Sequence, residues 1–473
     1  MRAKLTSVVL SGLIFATFAA QAQTVIVESR SGGLNFASYS DSVAGGDRTW
    51  GASTVKSTAQ GVTAGVGSRF APFSGTTGIP SFTVIPPLTP GTTYIVEVTH
   101  TTAGNNCSPD IIVSVAQSGC TGLPTATDAF QAAKGNGTAW YPVGYVTTTI
   151  ASPTITFTYA SGTLAGTSGR FYADAVRFTP VTNPNLATWA NNNSAWFTAG
   201  NWTPANVPGA GNSVQFGASP VSGTAGIGIN QNDVTTSPGG LKHVGPIEVT
   251  SARNNLNLII GNSSTTISGT LQFWGATING VPNTVLRNNG SGTTTLVLQD
   301  FQGSGTKTMS YNFTTAGGPA IIDATKNIVI TSVIIGSSSF TKIGAGTLTL
   351  AGNNTFVGPV VVNAGNLLVT GFITSASTLT VAGGLLSGSG TIGRQVFINA
   401  GGTISPGNGG IGTMLINNTL GLSGNTVMEI DRNGGLPVSD QVVGMSTVTY
   451  GGTLSVVNVG APLQNGDTFT LFS

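Results

Sequence analysis

Charged residues are scarce in this chain: 17 Lys and Arg stand against 15 Asp and Glu among 473 residues. Ordinary soluble domains carry about 25% charged residues, whereas here the fraction is 7%. A formal net charge of +2 provides neither the basic surface that a phosphate backbone requires nor a block of like charge. The composition therefore argues against a nucleic-acid partner.

Glycine takes the place of the residues that favour helices, with 68 glycines in the chain. Each glycine inside a helix costs about 1 kcal/mol relative to alanine. Thr, Ser, Asn and Val, which are also abundant, favour strands and turns. The composition predicts an all-β protein and excludes a helical one.

Long apolar runs are absent except near the N-terminus. Residues 1–22 begin with Arg2 and Lys4, continue with an apolar stretch from about Val8, and end in the small-x-small sequence Ala20-Gln21-Ala22. This pattern is typical of a secretory signal peptide, and the stretch is shorter than the ~20 residues of a membrane span. We expect cleavage after Ala22 and a mature chain without a transmembrane segment.

Cysteine and histidine are nearly absent, with two of each. Cys107 and Cys120 flank the strand-like run DIIVSV, and in an exported protein such a pair usually forms a disulfide. A zinc site would need more ligands, and His100 and His243 do not have the spacing that would supply them. The sequence predicts a disulfide between Cys107 and Cys120, no metal site and no cofactor.

Short strand-like runs separated by Gly, Pro and Asn occupy residues 23–181, which is typical of a β-sandwich. The runs TPGTTYIVEVTH, CSPDIIVSV and GRFYADAVRF resemble golvesin-like jelly-roll domains, which accompany secreted bacterial hydrolases and lyases. The resemblance implies an accessory jelly roll over this region.

Several aromatic residues of this region lie near glycine-rich loops, among them Trp50, Trp140 and Tyr141. Sugar-binding sandwiches stack exposed aromatic rings on pyranose faces. We therefore take these three as candidate contacts to an extracellular polysaccharide or a cell-surface glycan. Packing in the core is the alternative interpretation of each.

A repeat begins at about Ser263. Glycines followed by apolar residues recur every 18 or 19 residues, at Gly346, Gly365, Gly384, Gly402 and Gly421. A fixed period of this length indicates a solenoid. With Leu, Val and Ile alternating with Thr, it predicts a right-handed parallel β-helix over 263–473. At about 19 residues per coil, 182–473 could hold at most roughly 15 coils.

Residues 182–262 contain three of the six tryptophans, Trp189, Trp196 and Trp202, close together. We expect this segment to form the N-terminal cap and the first coils, because bulky apolar residues close the open end of a solenoid. A platform for stacking sugars is the alternative.

The stretch FTKIGAGTLTLAGNNTFVGPVVVNAGNLLV resembles the autotransporter-associated β-strand repeat. The later stretch GGTISPGNGGIGTMLINNTLGLSGNTVMEIDRNGG resembles the segment that follows such repeats in bacterial surface proteins. The resemblance is clearest over 340–473. It implies a passenger-type β-helix outside the cell or on the outer surface of a Gram-negative-type bacterium.

Residues for catalysis are few, and the sequence contains no G-x-S-x-G, no H-E-x-x-H and no P-loop. The best constellation pairs Asp300 with Asp323 and Lys307 with Lys326, at spacings near the repeat length. We expect a non-catalytic structural or adhesion protein. A carbohydrate-binding accessory protein and a β-helix polysaccharide lyase or hydrolase are the alternatives.

Overall fold

A computed structural model describes most of the chain. The described residues are 21–72, 77–99, 101, 112–132, 139–161, 169–189, 199–205, 208–217, 225–229, 241–250, 256–260, 266–291, 294–300, 306–337, 339–374, 377–432 and 437–473. The predicted signal peptide lies almost wholly outside them. Among these residues no helix is long and apolar enough to cross a membrane.

Short strands and a single α-helical turn form the N-terminal part, together with a 3-10 turn at Phe36–Ser38. In chain order they are β1 Val25–Glu28, β2 Tyr39–Ala44, β3 Gly51–Ser53, β4 Ser68–Pro72, β5 Ile79–Val84, β6 Thr93–Thr99, β7 Ile112–Ser118, β8 Cys120–Thr121, β9 Ala126–Thr127, α1 Ala129–Ala132, β10 Tyr141–Thr148, β11 Thr154–Ser161, β12 Arg170–Ala173 and β13 Ala175–Pro180.

Two antiparallel five-stranded sheets make this part a sandwich. One sheet has the order β1-β13-β6-β10-β8 and the other the order β2-β5-β11-β7-β9. A smaller sheet, β12-β4-β3, lies beside them. Alternate residues of β6, β11 and β13 point inward, so Val96, Phe157 and Phe178 are fully buried in one shared core. The predicted β-sandwich is therefore confirmed as an antiparallel sandwich.

The rest of the chain winds through short parallel strands, with a 3-10 turn at Ala199–Asn201. The strands are β14 Asn185–Trp189, β15 Trp202–Thr203, β16 Asn212–Phe216, β17 Ala225–Ile229, β18 Leu241–Val244, β19 Ile247–Val249, β20 Leu256–Ile260, β21 Thr266–Trp274, β22 Ala276–Ile278, β23 Val281–Asn288, β24 Leu296–Asp300, β25 Thr306–Thr314, β26 Ala320–Ala324, β27 Ile328–Ile330, β28 Val333–Ile334, β29 Phe340–Ile343, β30 Thr347–Leu350, β31 Asn353–Asn354, β32 Val360–Val362, β33 Asn366–Val369, β34 Phe372–Ile373, β35 Thr378–Val381, β36 Leu385–Gly388, β37 Thr391–Ile392, β38 Gln395–Ile398, β39 Thr403–Pro406, β40 Thr413–Ile416, β41 Thr419–Leu422, β42 Asn425–Asp431, β43 Val438–Ser439, β44 Gln441–Val443, β45 Thr447–Thr449 and β46 Thr453–Asn458.

Three parallel faces enclose the solenoid core. The first face runs β14-β16-β19-β23-β26-β29-β32-β35-β38-β41-β45, and the second runs β17-β20-β24-β27-β30-β33-β36-β39-β42 and ends with β46. The third face consists of β18-β21-β25-β28 followed by β31-β34-β37-β40-β44. Each coil contributes one strand to each face, which is the arrangement of a parallel β-helix. The predicted fold class, a sandwich followed by a β-helix, is confirmed.

Coil length changes along the β-helix. On the first face Val214 pairs with Ile247, and Ile247 pairs with Leu286, so the early coils span 33 and 39 residues. Lys342 pairs with Val362 only 20 residues later. The regular period seen in the sequence therefore belongs to the middle of the solenoid, and the number of coils stays below the upper bound.

Apolar side chains stack in columns from coil to coil. One column of the first face is fully buried and runs through Ala320, Phe340, Val360, Leu379, Val396 and Leu420. Burial of apolar surface is worth about 25 cal/mol per Å², so each added coil stabilises its neighbours. The alternation of apolar and polar residues predicted this inward column.

The first coil is closed by tryptophans. Trp189 and Trp202 are each 2% exposed and pack edge to face with ring centroids 4.7 Å apart, against Phe216. Trp196 lies outside the described residues. Buried rings cannot stack on a sugar, so the positions of these two favour the capping interpretation.

The sandwich packs directly on the first coils. The Tyr145 hydroxyl donates to the carbonyl oxygens of Gly275 at 2.8 Å and Thr314 at 3.1 Å, and its ring lies 5.1 Å from that of Trp274. The Thr277 amide donates to the Val181 carbonyl at 2.7 Å. These contacts fix the sandwich at the N-terminal end of the β-helix.

Candidate functional site

A cleft opens on the sandwich between the loop after β1 and strands β2 and β4. Its volume is about 320 Å³, at the lower end of the range for small-molecule sites. Polar, charged and aromatic side chains line it, namely Ser29, Arg30, Ser31, Phe36, Tyr39, Ser40, Asp41 and Arg69. No ligand contact by this cleft follows from the motifs of the sequence.

One wall of the cleft is a hydrogen-bonded triad. Tyr39 and Asp41 share one side of β2, because residues two apart in a strand point the same way. Arg69 of β4 reaches across and donates from Nε and Nη2 to the two Asp41 oxygens, at 2.7 and 3.0 Å. The Tyr39 hydroxyl donates to Asp41 Oδ2 at 3.1 Å. The triad holds Arg69 in a fixed orientation.

The electrostatics keep these groups in one ionic state near neutral pH. Burial, with a smaller contribution from the Asp41 charge, raises the pKa of Tyr39 far above its ordinary value. Hydrogen bonding to Asp41 raises the pKa of Arg69. The cleft therefore presents a neutral phenol and a permanent guanidinium.

Arg30 and Phe36 line other parts of the cleft. Arg30 Nη1 donates to the carbonyl oxygens of Ser53 at 3.1 Å and Ser68 at 3.3 Å. Phe36 lies in the short 3-10 turn before β2 and is 39% exposed. An exposed ring beside guanidinium and hydroxyl donors is suited to a polar ligand that also has an apolar face, such as a sugar.

A buried ion pair supports the loop that borders the cleft. Glu28 is fully buried, and Lys56 Nζ lies 2.8 Å from its Oε1. The amides of Leu34 and Thr63 donate to the same carboxylate. Burial alone would raise the pKa of Glu28, but Lys56 and the two amides outweigh it and lower the pKa. The loop is thus fixed by a charged group beneath it.

A second buried carboxyl, Asp174, lies in the same region. Its Oδ2 accepts from the Ser57 amide at 2.6 Å, while its Oδ1 is buried without a hydrogen-bond partner among the described residues. Burial raises the pKa of Asp174 to about 7, although Ser57 and Lys56 act in the opposite direction. Asp174 is therefore partly protonated at neutral pH.

This raised pKa predicts a stability difference between the wild type and Asp174→Asn. Unfolded Asp titrates near 3.9, so between about pH 4 and 7 the unfolded chain loses a proton that the folded chain keeps. The free energy of unfolding then falls by up to about 4 kcal/mol over this range. We expect Asp174→Asn to lack this decline and to be more stable at pH 8.

Urea unfolding of both proteins from pH 3.5 to pH 8 measures the difference. Values below pH 4 serve as the internal control, because there the carboxyl is neutral in both states. Parallel pH profiles for the two proteins would contradict the assignment.

The aromatic residues predicted to contact glycan are placed differently by the structure. Trp140 and Tyr141 are each 5% exposed, and the Trp140 indole donates to the Gln60 carbonyl at 3.0 Å. Trp50 is partly buried against Phe82 and donates to a backbone carbonyl. None of the three lines the cleft. Their burial favours the packing alternative, and glycan contact by them remains a prediction.

The predicted disulfide is not found. Cys120 is a buried free thiol whose pKa is raised by burial, and Cys107 lies outside the described residues. His100 also lies outside them. His243 accepts a hydrogen bond from the Trp274 indole at 2.9 Å. Within the described ranges no three His, Cys, Asp or Glu side chains are placed to hold a metal ion.

The residues of the catalytic alternative lie on different faces of the β-helix. Asp323 is in β26 of the first face, Asp300 in β24 of the second and Lys307 in β25 of the third. Lys326 follows β26 at the turn toward the second face. The side chains of Asp300 and Lys307 lie outside the description. Near-period spacing thus did not bring the four residues to one face.

Asp323 instead belongs to an ion ladder on the first face. Arg287 lies between two carboxylates, with Nη1 3.0 Å from Glu248 Oε1 and Nε at an ion-pair distance of 3.1 Å from Asp323 Oδ2. Gln215 donates to Glu248 from the coil before. The spacing of these residues in the sequence, 33 to 39 positions, does not match the visible repeat, so the ladder could not be predicted from it.

Comparison with known proteins gives one family match. Residues 340–369 match the passenger-associated-transport repeat. No curated protein and no solved structure matches the chain. The matched segment includes β29 to β33, which are consecutive strands in the regular part of the β-helix.

The passenger-associated-transport repeat contains a buried cation. Lys342 shares an inward column with Ile322 and Val362 and is fully buried. Its ammonium donates to three carbonyl oxygens at a corner, those of Ile343, Gly344 and Ala364. Burial lowers the pKa of Lys342 to about 8, while the Asp323 charge raises it. The lysine thus fastens successive coils at the corner between the first and second faces.

Proposed function

We propose that this protein is an exported, non-catalytic surface protein in which the β-helix is a rigid support and the sandwich contacts a glycan. The passenger-associated-transport repeat supports a passenger-type role outside the cell. The golvesin-like resemblance of residues 23–181 supports an accessory binding role for the sandwich. Together they favour adhesion to an extracellular polysaccharide or a cell-surface glycan.

The cleft carries the binding part of the proposal. It combines a fixed guanidinium at Arg69, a second at Arg30 and an exposed ring at Phe36 within about 320 Å³. Guanidinium groups donate paired hydrogen bonds to hydroxyl or carboxylate oxygens. An apolar ring beside them can cover one face of a pyranose.

The test is a binding titration of the full chain against a panel of neutral and acidic polysaccharides. We expect Arg69→Gln to weaken binding about tenfold or more, because hydrogen bonds from a charged group are worth about 1.5–3 kcal/mol. Arg170→Gln is the matched control, since Arg170 stacks on Phe70 at 4.2 Å and does not line the cleft. Equal loss in both variants, or no loss in Arg69→Gln, would contradict the assignment.

A further inference from the structure

The last coil of the β-helix is an apolar surface without a covering layer. It consists of β45, β46 and the final residues, where Phe472 bridges to Val442 of β44. Six of the fifteen large exposed hydrophobic residues in the described chain lie here, namely Tyr450, Leu454, Val456, Val457, Val459 and Leu463. This terminal coil, residues 447–473, is the most concentrated apolar surface that the structure describes.

The register shows why these side chains are exposed. Leu454 stacks on Thr426, and Val456 stacks on Met428, in columns that point into the core one coil earlier. Thr426 and Met428 are 3% and 0% exposed, whereas Leu454 and Val456 are 52% and 48% exposed. The terminal coil therefore presents core positions to solvent.

The backbone of β46 is also available for pairing. All six residues of Thr453–Asn458 are exposed, and their strand pairs with β42 on one side only. Exposed edge strands in natural proteins are usually protected by charged side chains or proline. Here residues 441–466 contain no Asp, Glu, Lys or Arg. Nothing in this edge repels another strand electrostatically.

The opposite end of the β-helix cannot be the partner of this surface. It is closed by Trp189 and Trp202 and covered by the sandwich, through contacts such as Tyr145 with Trp274. Head-to-tail stacking of copies is thereby blocked. The same terminal coil of another copy is uncharged and apolar as well, so the surface is complementary to itself, as a two-fold interface requires.

We propose that the terminal coil is a self-association surface through which two copies of this chain pair tail to tail. The two β46 strands would add to each other antiparallel across a two-fold axis, and Leu454 and Val456 of each copy would be covered. The coil supplies 27 residues, within the about 20–30 residues per side of a standard interface. The arrangement would leave both sandwich clefts free at opposite ends.

The test is the mass of the full chain in solution, measured by light scattering from about 1 to 100 µM, a range that spans typical protein affinities. We expect a doubled mass for the wild type and a single-chain mass for the double variant Leu454→Lys/Val456→Lys. Val357→Lys is the matched control, since Val357 is 46% exposed but lies away from the terminal coil, and it should keep the doubled mass.

Three results would overturn the proposal: a wild type of single-chain mass throughout the range, species larger than two chains, or an unchanged dimer in the double variant. If the double variant does not fold, amide exchange of the wild type decides. Slower exchange of residues 453–458 at high than at low protein concentration supports pairing. Equal exchange at both concentrations refutes it.

Discussion

Glu97→Gln is expected to lower the free energy of unfolding by about 3–5 kcal/mol, because it leaves a buried arginine without its counter-charge. Arg177 Nε donates to Glu97 Oε2 at 2.8 Å, and Nη2 lies 2.6 Å from the same oxygen at ion-pair distance. Both side chains are 1% exposed or less. Glu97 Oε1 also accepts from the Gly211 amide at 3.2 Å, so the pair lies where the sandwich meets the β-helix.

The double variant Glu97→Gln/Arg177→Met separates the cause. Replacing both partners of a buried pair by uncharged groups is often nearly neutral, so the double variant should regain most of the loss. Urea unfolding followed by tryptophan fluorescence measures all three proteins. A single variant as stable as the wild type, or a double variant as unstable as the sum of its parts, would contradict this account.

Arg394→Ala is expected to destabilise the β-helix by at least about 3 kcal/mol, since three buried carbonyl groups lose their donor at about 1–3 kcal/mol each. The guanidinium is fully buried and donates to the carbonyl oxygens of Thr374, Gly358 and Phe356, at 3.2, 2.8 and 2.9 Å. It also lies 4.5 Å from the centre of the Phe356 ring. These contacts join three successive coils.

Burial lowers the pKa of Arg394 to about 10, so the group is still charged at neutral pH and its hydrogen bonds are charge-assisted. Thermal and urea unfolding of the full chain measure the effect. Arg432→Ala is the matched control, because Arg432 is a partly exposed arginine paired with Asp467, and little change is expected. Equal effects of the two substitutions would show that the carbonyl contacts contribute nothing.

Much of the fold could be predicted because strand periodicity is a local signal. In the column from Phe340 to Leu420 every second residue is apolar, and glycine marks the corners, so the parallel stack follows from the pattern. The early coils could not be measured in the same way. Between Val214 and Leu286 the turns hold long insertions, which erase the period while the pairing of strands is retained.

Buried charges were the hardest feature to predict. Lys342 and Arg394 read as surface residues by type, yet both are fully buried. A long cationic side chain can lie in an apolar column if its end reaches carbonyl groups at a corner. Only the three-dimensional position of those carbonyls shows this, since they belong to neighbouring coils.

The candidate site was predicted at the level of the domain and not of the residue. The sandwich was expected to contact glycan through Trp50, Trp140 and Tyr141, chosen because aromatic rings bind sugars. The structure places Trp140 in contact with Arg177 at 4.6 Å, inside the molecule. Asp41 and Arg69 meet across 28 positions of sequence and different strands. No local pattern marks such a pair.

The measurement that tests the central claim most directly is product analysis of the full chain with the polysaccharide that it binds. The account predicts saturable binding, weakened by Arg69→Gln, with no new reducing or unsaturated sugar ends over many hours. Release of such ends at a rate proportional to protein concentration would contradict it. It would show that this protein is an enzyme rather than a support for a binding domain.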